Sequence, residues 1–341
     1  MRSEQNFSDG LLPRFSHIYI EEALIGREDA ESIRRHFPKA AVIPIHHYKD
    51  VFNRRHQDAA LQHASQKLIL AEKKGTLVYP GAPVCQSFGN EHFYYTSCVM
   101  NCVFDCEYCY LKGMYPSGNL VLFLNLEDIF REVRALLRQH PVYLCISYDT
   151  DLLALEGITG IVRRWAEFVL SEPELTVEVR TKTGSQAFWE ALLPFRSERL
   201  IFAFTLSPDE VVARYEHGSG SLRARLESIS LGLSLGYTLR LCFDPMISIP
   251  DWRTHYGEML AQVTEALDLR QIRDMSIGSF RLSEVYLKTM RRAMPDSAVV
   301  QYPYENTGAV YHYPAALAAE MERFLRDALL RYVPEERIFT N

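Results

Sequence analysis

The rhythm of apolar and polar positions changes near residue 90. Before it, HIYIEEAL reads as a strand, AESIRRHF as a helix and AAVIPI as a short strand. A polar helix-loop stretch follows, and then a strand near LILAEKKGTLVYP. The Tyr79-Pro80-Gly81 turn and Pro83 mark the boundary. Beyond it strands and helices alternate. HFYYTS, VYLCIS, LTVEVRT, RLIFAFTLS, YTLRLCFDP and MSIGSF read as strands. Helical spacing follows in IFREVRALLRQH, ITGIVRRWAEFVL, SQAFWEALL, LRARLESISLGLSL, WRTHYGEMLAQVTEAL and LSEVYLKTMRRAM. Such alternation implies βαβ units on a parallel sheet. About six units suit an open, partial (β/α)6 barrel better than a complete eight-fold one. The expected organisation is a mixed α/β segment over residues 1–90 and a partial barrel with a C-terminal extension over residues 91–341.

Parallel strands covered on both faces should be continuously apolar, and several here alternate instead. Thr176, Glu178, Arg180 and Lys182 share one face of their strand, with Val177 and Val179 opposite. Thr238, Arg240, Cys242 and Asp244 oppose Leu239, Leu241 and Phe243, and Ala203, Thr205 and Ser207 oppose Phe202, Phe204 and Leu206. With helices on the apolar face, the polar face is expected to line a wet interior that binds something polar. Exposed edge strands are the other reading.

Composition narrows the class. The 341 residues are 48% hydrophobic and 23% charged, which excludes wholesale disorder. The formal charge of −6 excludes a uniformly basic nucleic-acid coat protein. No apolar run is long enough to span a membrane, and the opening MRSEQNFSDGLLPRF lacks the apolar stretch of a secretory signal. A cytoplasmic protein with reduced thiols is expected.

Four of seven cysteines crowd into twelve residues, Cys98 to Cys109. Clustering of this kind points to metal or redox chemistry rather than a disulfide framework. Cys102, Cys106 and Cys109 have the spacing C-x3-C-x2-C. Three thiolates on one short loop can hold three corners of a [4Fe–4S] cube and leave the fourth iron open to an exogenous ligand. Cys98 could close that corner and leave an electron carrier. Four cysteines could also bind zinc, although no second C-x2-C pair is present.

This loop, following the first strand of a βα-repeat domain, resembles the radical S-adenosylmethionine superfamily. Tyr108 and Tyr110 in CEYCYLKG resemble, more narrowly, the spore photoproduct lyase family. So do FAFTLSPDEVVARYEHGSGSLRARLES, GYTLRLCFDPMISIPDWRTHY and the early YIEEAL, in patchy similarity over roughly residues 17–335. The resemblance implies a radical SAM partial barrel and two cofactors, a [4Fe–4S] cluster on Cys102, Cys106 and Cys109 and S-adenosyl-L-methionine. It implies a 5′-deoxyadenosyl radical that opens a methylene-bridged thymine dimer in damaged DNA, and an electron donor such as flavodoxin or ferredoxin. Tyr108 and Tyr110 are the implied hydrogen relay. Thr150, Asp151, Lys182 and Thr205 are the implied cofactor-binding residues.

Two departures stand out. The family's donor cysteine, which returns hydrogen to the product radical, aligns with Tyr148. Cys145 is the nearest substitute, Cys98 and Cys242 are others, and Tyr148 could itself deliver the hydrogen. The family's basic hairpin is matched by QYPYENTGAVYHYPA, which has no Lys or Arg. Tyr302, Tyr304, Tyr311 and Tyr313 there could stack on a flipped base but cannot neutralise phosphate. A related enzyme with another substrate, and a non-catalytic electron carrier, are the alternatives.

Overall fold

The computed structural model describes residues 14–82 and 85–340. The opening stretch and Pro83 lie outside them. Strands Phe93–Thr96, Val142–Cys145, Leu175–Thr181, Leu200–Thr205, Thr238–Met246 and Asp274–Ser279 run parallel in that spatial order. These are the six strands that the alternation predicts. Val78–Pro80 adds antiparallel to one edge and Ile338–Thr340 parallel to the other. Among the described residues the two edges do not pair with each other. Chain crosses the gap instead: Gln86 donates to the Thr340 carbonyl at 3.2 Å, and Phe88 packs edge-on against Phe339. The barrel is partial, as expected.

Local chemistry sets the helix ends. Gly160, in the left-handed region at φ 59°, divides one expected helix into Glu156–Thr159 and Ile161–Ser171. Buried Glu156 accepts the Val162 and Arg163 N–H groups at 2.7 and 2.9 Å, satisfying the first turn of the second piece. Ser221 caps Leu222–Ser234 by accepting from the Ala224 N–H, and Gly236 at φ 79° follows its end.

The second sheet has the order Ala41–Ile45, His17–Glu21, Leu68–Ala71, Leu120–Phe123 and Val99–Met100. The first four strands are parallel, and Val99–Met100 joins antiparallel. Two of the five come from beyond residue 90, while Val78–Pro80 belongs to the barrel sheet. The segments on either side of that position therefore exchange strands.

The polar strand faces do turn inward, but the expected wet interior is closed over much of its depth. Arg240 is 1% exposed and pairs with Glu178 and Asp274. Glu178 also pairs with Arg180 at 2.6 Å and accepts from the Tyr143 hydroxyl. The Phe88 ring lies 3.2 Å from the Arg240 guanidinium carbon. Burial alone would raise the Glu178 pKa, yet the two guanidiniums hold it at about 2. The alternation gives the direction of these side chains. It carries no information on which inward charges face each other, and these neutralise one another where water was expected.

Candidate functional site

The cysteine loop leaves the strand Phe93–Thr96 at the end where Lys182 and Thr205 also emerge, the carboxyl end of the parallel strands. Several contacts fix its path. Asn101 takes the left-handed region at φ 68°, and its side-chain amide donates to the Ser117 and Asn119 carbonyls. The Cys102 carbonyl accepts from Gln66 at 2.9 Å and lies 3.1 Å from His63 Nε2. Asp105–Cys106 forms a short antiparallel ladder with Glu216–His217, and the Glu107 N–H donates to the Tyr215 carbonyl at 2.8 Å. Glu107 further contacts His217 at 3.0 Å and accepts from Ser297 at 2.6 Å.

Glu216 anchors this ladder from below. It is 1% exposed and accepts from Arg225, from Ser207 at 2.8 Å and from the Tyr108 hydroxyl. Burial would raise its pKa, but Arg225 and Lys182 hold it at about 2. Arg225 also donates to the Gly220 and Thr205 carbonyls at 2.8 and 2.9 Å. At Gly220 a Cβ would sit 2.3 Å from the Gly184 nitrogen, so only glycine permits this approach. The EHGSGS stretch is thus a brace for the cysteine loop, and Arg225 is a buried strut rather than a surface cation. The sequence signal for this brace is Glu216 followed by Gly218 and Gly220.

The three thiols share this end. Burial pushes Cys106 up to about 12 and raises Cys102 and Cys109, while the Lys182 ammonium works against burial at Cys106 and Cys109. Among the described residues no three His, Cys, Asp or Glu side chains are grouped to hold a single metal ion. A three-thiol loop spanning a larger cluster fits this spacing better than a mononuclear zinc site. Cys98 is turned away: its sulfur accepts from Trp165 Nε1 at 3.4 Å inside the core, and burial raises it to about 11.

The other expected residues divide into free and engaged groups. The Thr150 hydroxyl is buried with no hydrogen-bond partner among the described residues. An orphaned polar atom of this kind calls for a ligand or water. Lys182 makes no ion pair among the described residues, and its ammonium sits 5.6 Å from the centre of the Tyr108 ring. Asp151, by contrast, is engaged: it accepts from Thr181 Oγ1 at 2.9 Å, the Lys182 N–H at 2.7 Å and the Ala154 N–H at 3.1 Å. Thr205 is buried beside Arg225.

The two tyrosines have different surroundings. The Tyr108 hydroxyl is committed to Glu216. The Tyr110 hydroxyl donates to the Tyr148 carbonyl and to Asp149 at 3.2 Å. Buried Asp149 also accepts from Ser97 and from Tyr115 at 2.8 Å. Cys145 is 3% exposed and Cys242 fully buried, both inside the barrel and near Glu178 and Arg180.

The expected stacking face of the C-terminal hairpin is only half present. Tyr304 and Tyr313 are buried, 5.1 Å apart, and pack with Phe280 as core. Tyr302 and Tyr311 remain half-buried. Outside the hairpin, the basic residues Arg214, Arg223, Arg225, Arg281 and Lys288 are each paired with a carboxylate.

Comparison with known proteins places this geometry. The family model described as spore photoproduct lyase matches residues 91–338. A curated spore photoproduct lyase of Geobacillus sp. (strain Y412MC61) is 20% identical over 250 residues, 70% of this chain and 73% of its own length. One of Bacillus subtilis (strain 168) is 21% identical over 245 residues, 68% and 70% of the two chains. A solved structure of a spore photoproduct lyase variant superimposes with a TM-score of 0.80 at 16% identity, covering 96% of this chain and 98% of that one. Another, complexed with dinucleoside spore photoproduct, gives 0.79 at 17% identity, with 96% and 98% covered. The radical SAM fold inferred above is confirmed, and the chain belongs to the spore photoproduct lyase family.

Proposed function

We propose that the chain is a radical SAM carbon–carbon lyase that reverses the bridged thymine dimer in DNA. The observation that carries this reading is the meeting, at one end of the barrel, of a braced three-thiol loop, an unpaired Lys182 ammonium and an unpartnered Thr150 hydroxyl. Cys102, Cys106 and Cys109 would hold a [4Fe–4S] cluster, and Thr150, Lys182 and Thr205 would hold S-adenosyl-L-methionine. Together the two groups, when bound, would supply a 5′-deoxyadenosyl radical for hydrogen abstraction.

The chain's own residues do the rest. Lys182 offers a full charge to a carboxylate in a site partly shielded from water, where such a bond is strong. Asp151 positions it by accepting its backbone N–H and tying the loop after Leu175–Thr181 to the segment after Val142–Cys145. Thr150 supplies a hydroxyl already desolvated. Tyr108, tethered to Glu216, forms the wall beneath Lys182, and Tyr110 ties the cysteine loop to the Tyr148 carbonyl and Asp149 through its hydroxyl.

The reductant is proposed to be a one-electron carrier of the flavodoxin or ferredoxin class, in the cytoplasm. No helix among the described residues is long and apolar enough to cross a membrane.

A second reading, the same radical start on another substrate, is favoured by one observation: the hairpin carries no cation and most nearby basic side chains are already paired. One experiment separates the two. Anaerobically reconstituted protein receives S-adenosyl-L-methionine, reductant and an oligonucleotide carrying spore photoproduct. Restored thymine supports the first reading. Formation of 5′-deoxyadenosine with no oligonucleotide binding at low salt supports the second.

A further inference from the structure

Tyr148 stands where the family pattern has a thiol, and a thiol lies beside it in space. Cys85 Sγ is 3.3 Å from the Tyr148 hydroxyl, with either atom able to donate. Cys85 is half-buried. It precedes Tyr148 by 63 residues and lies outside the barrel strands, so no local spacing announces the contact.

Tyr148 also belongs to a run of rings. On one side Tyr110, which follows Cys109 directly, lies 5.8 Å away between ring centres. On the other, Tyr95 stacks on Tyr148 at 4.1 Å and 23°. Tyr95 stacks in turn on Tyr79 at 5.2 Å and 22°. The Tyr79 hydroxyl reaches the surface, where it donates to the Thr76 carbonyl at 2.6 Å. One thiol and four phenols thus connect the cysteine loop with solvent.

We infer that Cys85 is the hydrogen source for the product radical, that Tyr148 relays the hydrogen, and that Tyr95 and Tyr79 clear the spent radical. The inference rests on the lyase reading above. The product carbon radical takes a hydrogen atom from the Tyr148 hydroxyl: a C–H bond forms, an O–H bond breaks, and a neutral phenoxyl remains. The phenoxyl takes a hydrogen atom from Cys85: the O–H bond re-forms, the S–H bond breaks, and a thiyl remains. The sum is one carbon radical and one thiol giving one C–H bond and one thiyl. One electron and one proton reset the thiyl. Its oxidising equivalent moves through Tyr148 and Tyr95 to Tyr79, where a one-electron reductant of the class that reduces the cluster fills it. Solvent returns the proton to Cys85.

The competing thiols are placed less well. Cys98 faces Trp165 in the core. Cys242 and Cys145 are enclosed with Glu178 and Arg180. Among the described residues, Cys85 is the thiol in hydrogen-bond contact with a tyrosine hydroxyl, within the looser reach expected before substrate binds.

Two measurements test this. In the reconstituted enzyme, Cys85→Ser is compared with Cys145→Ala, reading 5′-deoxyadenosine separately from the ratio of restored thymine to abnormal thymine products. Cys85→Ser is expected to move that ratio toward abnormal products on the order of tenfold or more, with 5′-deoxyadenosine still formed. In the cluster-free protein, a fluorinated tyrosine at position 148 is photo-oxidised and its phenoxyl signal followed by electron paramagnetic resonance. Its lifetime is expected to lengthen on the order of tenfold when Cys85 is serine. An unchanged lifetime, or a product shift in Cys145→Ala with none in Cys85→Ser, overturns the inference. Absence of 5′-deoxyadenosine in every variant would instead count against the lyase reading, and the photo-oxidation result would still decide the thiol–phenol transfer.

Discussion

The two ends of the barrel are built by the same strands with the same inward faces, yet they are finished in opposite ways. In the interior, Arg240, Glu178, Arg180, Asp274 and Tyr143 satisfy one another under the Phe88 ring. At the carboxyl end, Thr150 has no hydrogen-bond partner among the described residues, and the Lys182 ammonium acts on Glu216 and Asp151 through space with no close ion pair among the described residues. Removing one member of a buried ion network leaves an uncompensated charge, whereas removing Lys182 leaves Glu216 still paired with Arg225. A desolvated Thr150 hydroxyl and a Lys182 ammonium with no close carboxylate at one end, beside a paired charge network at the other, mark where a ligand belongs.

The largest effect is expected at the cysteine loop. Cys109→Ala should lower bound iron and reduce 5′-deoxyadenosine formation at least about 100-fold, measured by iron assay and chromatography, with little change in unfolding. Arg240→Ala should act oppositely, lowering the free energy of unfolding by about 3–5 kcal/mol in a urea titration. A smaller loss would mean the closed end is less coupled than its geometry indicates.

Lys182→Ala should leave stability within about 1 kcal/mol yet weaken S-adenosyl-L-methionine binding roughly 10- to 100-fold, the range of a lost charged hydrogen bond, read by equilibrium dialysis. Glu178 gives the closed end a pH signature. Its folded pKa, about 2, lies below the usual 4.5 despite burial, because Arg180 and Arg240 favour the carboxylate. The stability it adds is therefore full above pH 4.5 and is lost as pH falls toward 2. Glu178→Gln should flatten acid unfolding in that window, and an unchanged slope would contradict the pairing. The smallest effect belongs to Thr150→Val, which should weaken cofactor binding about fivefold and leave stability level or slightly higher.

Much of this contrast was legible beforehand. Six strands, the inward turn of Glu178, Arg180 and Arg240, and the C-x3-C-x2-C loop all follow from spacing. What escaped depends on partners distant in sequence. Leu120–Phe123 was passed over, because a short apolar run beside a helix start does not announce that it pairs with Leu68–Ala71. Tyr304 and Tyr313 read as a stacking surface because hairpin position says nothing of which rings Phe280 covers. Asp151, expected at the cofactor site, also accepts from Thr181, Lys182 and Ala154, contacts that its position after a strand does not announce. Cys85 attracted no notice because its partner is a tyrosine 63 positions later. Spacing determines which way a side chain points, while the partner it meets there is fixed by the register of the whole sheet.

On this reading the carboxyl end holds a cluster with one iron left open for S-adenosyl-L-methionine. The most direct measurement is the electron paramagnetic resonance spectrum of the reduced, anaerobically reconstituted protein before and after addition of that molecule, with the products then assayed. A changed spectrum and formation of 5′-deoxyadenosine are expected. A spectrum indifferent to S-adenosyl-L-methionine, with no 5′-deoxyadenosine formed, would contradict this reading.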